Sequence, residues 1–220
     1  MIGKTGFFTL DIFPSGGIIK KKREVKRNMP LEWEIKLTGN ITAALHDPQL
    51  ALHWQEMSMK TVYYDTAERL LSGRKLTLRL RSEGGRSVVC LKAPHPEAHA
   101  RCEWQLEAER PDDDTLAALT ALGAPDGLPR ADLLAPLCGA EFTRRFALLQ
   151  FPDGSTAEVA HDTGILTGGG RILPFEELEL ELKAGVPEPL TVLAARLCKG
   201  YGLHEEANSK FARACALANG

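Results

Sequence analysis

The chain has 220 residues, 44% of them hydrophobic and 25% charged, with a net charge of −2. That length holds one large domain or two small ones, the composition is that of a globular protein, and the near-neutral balance excludes a general nucleic-acid binder. Five cysteines (Cys90, Cys102, Cys138, Cys198 and Cys215) without C-x-x-C spacing make neither a zinc site nor a disulfide framework and read as reduced cytoplasmic thiols, and no apolar run approaches the ~20 residues of a membrane-spanning helix.

Residues 1–28 look foreign to the remainder of the chain: Gly-rich Pro14 to Gly17 leads into a basic run from Lys20 to Arg27. They read as a disordered leader or a non-native extension, with residues 29–220 forming a single domain. Residues 31–37 alternate strictly and predict a strand, with Glu32, Glu34 and Lys36 on one face and Trp33 and Ile35 on the other. Thr38-Gly39-Asn40 ends it, and apolar residues at helical spacing predict a helix over 41–54, interrupted at Pro48. A strand over 57–64 closes at Asp65-Thr66. Residues 75–81 alternate again, Leu76, Leu78 and Leu80 against Lys75, Thr77, Arg79 and Arg81. Glu83-Gly84-Gly85-Arg86 turns the chain into a strand over 87–92 with Lys92 near its end.

Residues 100–110 set Arg101, Glu103, Gln105, Glu107 and Glu109 opposite Cys102, Trp104 and Leu106. Asp112-Asp113-Asp114 signals the start of a helix over 115–122, where the helix dipole favours acids. A loop over 123–129 precedes a short helix over 131–137. A strand over 142–151 carries Arg144, and Asp153-Gly154 turns it into a strand over 155–161. Asp162-Thr163-Gly164 and Gly168-Gly169-Gly170 punctuate a further hairpin. It leads to the most regular strand, 175–183, with Glu177, Glu179, Glu181 and Lys183 against Leu178, Leu180 and Leu182. Helices over 190–199 and 205–217 finish the chain.

About eight strands, mostly antiparallel, suffice to close a barrel, and the helices can cover its aliphatic outer faces. The fold class expected is therefore mainly antiparallel β with flanking helices, an eight-stranded closed tunnel with a charged lumen. Sign segregation supports the closure, since one strand offers Arg79 with Arg81 and another Glu177, Glu179 and Glu181. Like charges about 6.6 Å apart repel by roughly 2.5 kcal/mol at an effective dielectric near 20. Such walls call for counter-ions: divalent cations on the acids, a polyanion on the bases. All-oxygen donors point to Mg²⁺ or Mn²⁺ and not zinc, and magnesium shares itself with substrate phosphates. The six histidines show no ligand spacing.

These residues carry a resemblance. Glu32-x-Glu34-x-Lys36 resembles the ExExK signature of the CYTH superfamily, the triphosphate tunnel metalloenzymes. The likeness continues through Tyr63-Tyr64-Asp65-Thr66, Leu78-Arg79-Leu80-Arg81, Leu91-Lys92, Arg101-x-Glu103, Phe142-x-Arg144, Glu158 with Asp162-x-Gly164, Glu177-x-Glu179-x-Glu181 and Ser209-Lys210. It is nearest to the bacterial inorganic triphosphatase branch, whose members often carry a further helical CHAD domain. The resemblance implies metal-dependent hydrolysis of a linear triphosphate, foremost inorganic tripolyphosphate to pyrophosphate and phosphate. It makes Glu32, Glu34, Glu179 and Glu181 the metal ligands, with Glu177 close by. Lys36, Arg79, Arg81, Lys92, Arg101, Arg144 and Lys210 become the substrate set, and Glu32, Glu34, Lys36, Arg79 and Arg81 the catalytic one. Gln105 departs from the pattern, since many relatives carry a further acid there. Adenylate cyclase-like chemistry, thiamine triphosphate hydrolysis and a non-enzymatic polyphosphate binder stand as alternatives. The partner expected is a small anionic substrate, with no nucleic acid and no membrane, and with monomer or homodimer left open.

Overall fold

The computed structural model describes residues 30–219, so the leader lies outside the described residues. The strands are β1 (Leu31–Thr38), β2 (Gln55–Asp65), β3 (Thr77–Glu83), β4 (Arg86–Pro94), β5 (Ala100–Glu107), β6 (Ala135–Gln150), β7 (Thr156–Gly168), β8 (Arg171–Ala184) and the two-residue β9 (His204–Glu205). The helices are α1 (Ile41–Ala44), α2 (Leu70–Gly73), α3 (Asp113–Ala121), α4 (Glu188–Tyr201) and α5 (Lys210–Asn219). Strands pair in the order β5-β4-β3-β2-β6-β7-β8-β1, all antiparallel, and β1 returns to β5, which closes an eight-stranded barrel. No described helix is long and apolar enough to cross a membrane.

Closure works because β1 is shared. Leu31, Glu32 and Trp33 pair with β5, while Glu34 to Leu37 pair with β8. Two apolar clusters cover the outside. Trp33, Ile35 and Leu37 of β1 pack with Leu178 and Leu180 of β8 under Leu190, Leu193 and Leu197 of α4. Leu78, Leu91 and Trp104 pack under Leu116 and Leu119 of α3, whose N-terminus is capped by the Asp112 carboxylate on the Thr115 amide.

Four expectations change. The helix over 41–54 is one turn, α1, then a 3₁₀ turn at Pro48–Leu50, because Pro48 cannot continue the hydrogen-bond ladder. The helix over 131–137 is a 3₁₀ turn at Ala131–Leu133, and β6 begins at Ala135. Asp162-Thr163-Gly164 is no turn but lies inside β7, where Gly164 opposes Phe142. A Cβ on Gly164 would collide with the Glu141 carbonyl and Phe142, so this glycine permits close strand approach. Finally, α5 starts at Lys210 and does not lie outside the barrel with the other helices. Its Ala214 packs with Cys138, Ala140, Phe142 and Leu166, and Gly168 lets its backbone come close.

Candidate functional site

The inner faces of the strands and the start of α5 enclose a cavity of about 730 Å³. Every site residue expected from the sequence lines it: Glu32, Glu34 and Lys36 from β1, Arg79 and Arg81 from β3, Lys92 from β4, and Arg101 from β5. Arg144 enters from β6, Glu179 and Glu181 from β8, and Lys210 from α5. The wall is divided by chemistry. Charged side chains come mainly from β1, β3, β4, β5, β7 and β8, whereas β2 and β6 add Met57, Met59, Phe142 and Phe146. Tyr63 and Phe211 also line it, their rings tilted against each other with centroids 5.1 Å apart, while Tyr64 packs into the outer cluster under α3.

Cross-strand register corrects the picture of walls sorted by sign. Lys36 opposes Glu179, Glu32 opposes Arg101, Lys92 opposes Glu103, and Arg144 opposes Asp162. Ion pairs result from this register. Lys92 bonds Glu32 and lies 3.6 Å from Glu103, which Arg79 reaches at 3.3 Å. Arg144 grips Asp162 with both prongs of its fork, at 2.8 and 2.7 Å, and also bonds Glu179. Like-signed neighbours remain: Asp162 opposes Glu177, and a row of three runs across β7, β8 and β1, where Glu158 opposes Glu181 and Glu181 opposes Glu34. The cations near that row of three are Lys36, 2.6 Å from Glu34, Arg144, 3.7 Å from Glu158, and Lys183, 2.8 Å from Glu181 at the half-exposed rim.

Ionisation reflects these surroundings. Burial pushes the Glu32 carboxyl up to about 7, against the pull of Lys92. Burial likewise raises Glu181, helped by the charges of Glu158 and Glu34. Burial also acts on Glu34, but Lys92 and Lys36 overcome it and hold that carboxyl below its ordinary value. Glu103 and Glu179 stay well below theirs despite burial, Glu103 through Lys92 and Arg79, Glu179 through Lys210 and Arg144. Donors remain spare: Arg79 Nε and Arg101 Nε are buried without a hydrogen-bond partner. A buried guanidinium N–H without an acceptor is costly, and an incoming oxyanion would satisfy it.

Sequence reasoning put Glu177 only beside the metal ligands, gave Asp162 no role and missed Arg213. Asp162 and Glu177 are fully buried, and with Glu179 they present carboxylate oxygens within 4.8 Å of one another. Lys210, which without the resemblance reads as a solvent-exposed helix residue, sits among them. It lies 2.7 Å from Asp162 and 3.0 Å from Glu179, and bonds Glu177. Arg213, one turn later on α5, takes the other Glu177 oxygen. The available signal for Arg213 was its spacing of three from Lys210, which puts both on one helix face.

Residues 30–215 match the CYTH domain family. The chain belongs to that family. It is 31% identical over 162 residues to an inorganic triphosphatase of Haemophilus influenzae, covering 70% of this chain and 46% of that protein. The chain thus spans about half the length of this curated relative. A Hippeastrum protein described as having a dominant triphosphatase activity superposes with a TM-score of 0.57 at 19% identity, over 86% of this chain and 97% of that one. The PH1819 protein of Pyrococcus horikoshii gives 0.52 at 18%, over 83% and 97%. These likenesses show the CYTH barrel fold.

The two acidic groups of this CYTH barrel differ in their fitness for a metal. In the buried group, Asp162, Glu177 and Glu179 already share the Lys210 ammonium, which occupies the position of a cation. The row of Glu34, Glu181 and Glu158, with Glu32 beside it, opens onto the cavity and offers carboxylate oxygens alone. That donor set fits a hard divalent ion.

Proposed function

We propose that this barrel hydrolyses a phosphoanhydride bond of a linear triphosphate, foremost inorganic tripolyphosphate to pyrophosphate and phosphate, with Mg²⁺ or Mn²⁺. The observation that carries this reading is the meeting of Lys36, Arg79, Arg81, Lys92, Arg101, Arg144 and Lys210 with a like-signed carboxylate row inside one cavity. The triphosphatase likeness of the Haemophilus relative agrees with it. Glu32, Glu34 and Glu181 would hold the metal, with Glu179 adjoining them through its pairing with Lys36. A divalent ion held by these carboxylates would supply neutralisation of phosphate charge and activation of water.

The chain's own groups do the rest. Arg79 and Arg101 present their unpaired Nε donors, and Lys92 exchanges Glu32 and Glu103 for a phosphate oxygen. Arg144 is held in place by Asp162, so it approaches the phosphoryl group pre-oriented. Preorganised donors of this kind lower the barrier by about 2–4 kcal/mol each. Lys36, 2.6 Å from Glu34, would bridge that carboxylate and a phosphate.

Phosphate release from tripolyphosphate, ATP, thiamine triphosphate and longer polyphosphates, each with Mg²⁺ and Mn²⁺, tests this. Tripolyphosphate turnover that needs the metal is expected, with Glu34→Gln inactive but folded by circular dichroism. Full activity in Glu34→Gln and Glu32→Gln overturns the assignment. A second reading draws on Met57, Met59, Phe142 and Phe146, an apolar strip beside the cations that would accept an organic group. Preference for ATP or thiamine triphosphate supports it, and cyclic nucleotide formation points to cyclase-like chemistry. Tight tripolyphosphate binding without release marks a polyphosphate binder. A cytoplasmic location, among small linear phosphates and with five free thiols kept reduced, agrees with the triphosphatase reading.

A further inference from the structure

Two of the five cysteines of the chain meet at the junction of α5 with the barrel. The Cys138 and Cys215 sulfurs lie 3.6 Å apart, one on the inner side of β6 and the other on α5. Cys138 is buried at 7% exposure, whereas Cys215 is half-buried and open to a small reagent. The helix that carries Cys215 also carries Lys210 and Arg213, the cations that hold Glu177. Its seat is tight, for Gly168 and Gly169 abut its backbone, but it is a short helix held by packing and a few polar contacts.

We propose that Cys138 and Cys215 are a modification site: a low-molecular-weight disulfide oxidises them to an intramolecular disulfide that pins α5 to β6. The sulfurs need to approach by about 1.5 Å to reach bonding distance, a shift within the reach of side-chain rotation. Cys215 is the attacking thiol. A hydrogen bond from Cys138 lowers its ionisation below the ordinary thiol range, burial opposes this, and the nearby Arg69 guanidinium supports the thiolate against the charge of Asp65. The Cys215 thiolate attacks one sulfur of the oxidant and expels the other half as a thiolate, leaving a mixed disulfide. Cys138 then gives up its proton, attacks Cys215 Sγ and expels the second half. Two protein thiols are oxidised, and one small disulfide is reduced to two thiols. The covalent chemistry stands by itself; its bearing on phosphate turnover, through Lys210, rests on the triphosphatase reading.

The experiment treats the full chain with oxidised glutathione, then applies thiol counting and non-reducing peptide mapping. A loss of two from the five free thiols is expected, with the peptides of Cys138 and Cys215 joined and dithiothreitol reversing the change. Cys138→Ser should stop at a glutathione adduct on Cys215, and Cys198→Ser should behave as the wild type. In the oxidised protein, amide exchange within α5 should slow about tenfold. A glutathione adduct on wild-type Cys215 that never closes, a crosslink through Cys198, or no loss of thiols each overturns the proposal. Phosphate release is recorded on the same samples. Its absence before oxidation counts against the triphosphatase reading alone and leaves the disulfide result to stand.

Discussion

Lys210, like Arg144, balances three carboxylates: one ammonium, 9% exposed, serves Asp162, Glu177 and Glu179. Removing one member of such a group leaves buried charge uncompensated, a loss of about 3–5 kcal/mol. Lys210→Met should therefore lower the melting temperature by roughly 6–20 °C. The pH dependence has a definite sign. Glu179 is held well below its usual 4.5 by Lys210 and Arg144 despite burial, so the stability it contributes is complete above 4.5 and lost only on strong acidification. Without Lys210 the buried carboxyls prefer their protons, so the variant should gain stability relative to wild type as pH falls from about 7 to 5. A parallel fall of both melting curves over that range contradicts the assignment. The inner-face charges were legible because each strand alternates, and a period of two leaves no choice of face. Asp162 was not, since Gly164 two residues later imitates a turn until its strand partner is known. Arg213 offered only its spacing of three from Lys210, and Lys210 itself read as exposed without the resemblance.

Among the elements, α4 and the segment after α1 are tied through Asp47, whose carboxylate is 2% exposed. It takes Arg196 Nη2 at 2.9 Å, the Tyr201 hydroxyl at 3.0 Å and the Gln49 amide at 2.9 Å, and it also bonds Arg196 Nη1. Hydrogen bonds from Arg196, foremost, keep this carboxyl below its ordinary 3.8. The contribution is thus intact above that value and lost below it. Asp47→Ala should lower the unfolding free energy by about 1.5–3 kcal/mol, the worth of hydrogen bonds to a charged group, read in a urea melt at pH 7. A change below about 0.5 kcal/mol would mean that exposed Arg196 adds no more than a surface pair. Helix α4 itself was legible from Leu190, Leu193, Ala194 and Leu197, all turned to the core. The inward placement of α5 was not, since its apolar stripe meets the inner sides of β6 and β7 as readily as it would an outer wall. Only the tertiary arrangement decides between them.

At the scale of the whole molecule, closure makes the charges useful. A solvated strand face would let each carboxylate find water, whereas the barrel makes Glu32, Glu34 and Glu181 share a cavity with seven cationic side chains named for the substrate. Charges in the lumen are balanced pair by pair, as Lys92 with Glu32 and Arg79 with Glu103 illustrate, so a lone polyanion would displace carboxylates and leave them unmatched. A divalent ion arriving with the polyanion removes that penalty, and the two ligands should therefore bind with positive coupling. Thermal melts with Mg²⁺ alone, tripolyphosphate alone and both together measure it. With each at about 100 times its dissociation constant, either ligand alone should stabilise by about 2.7 kcal/mol, or roughly 5–11 °C, and the two together by more than about 5.4 kcal/mol. The shift should exceed the sum of the separate ones. It should shrink with added salt less than surface pairing would, since the groups involved are largely screened from solvent ions. In Glu181→Gln the metal-dependent excess should vanish while the response to tripolyphosphate alone persists or strengthens, because a carboxylate that competes for the cations is gone. Additive shifts in the wild type would mean that the acids and the bases of this barrel serve separate ligands.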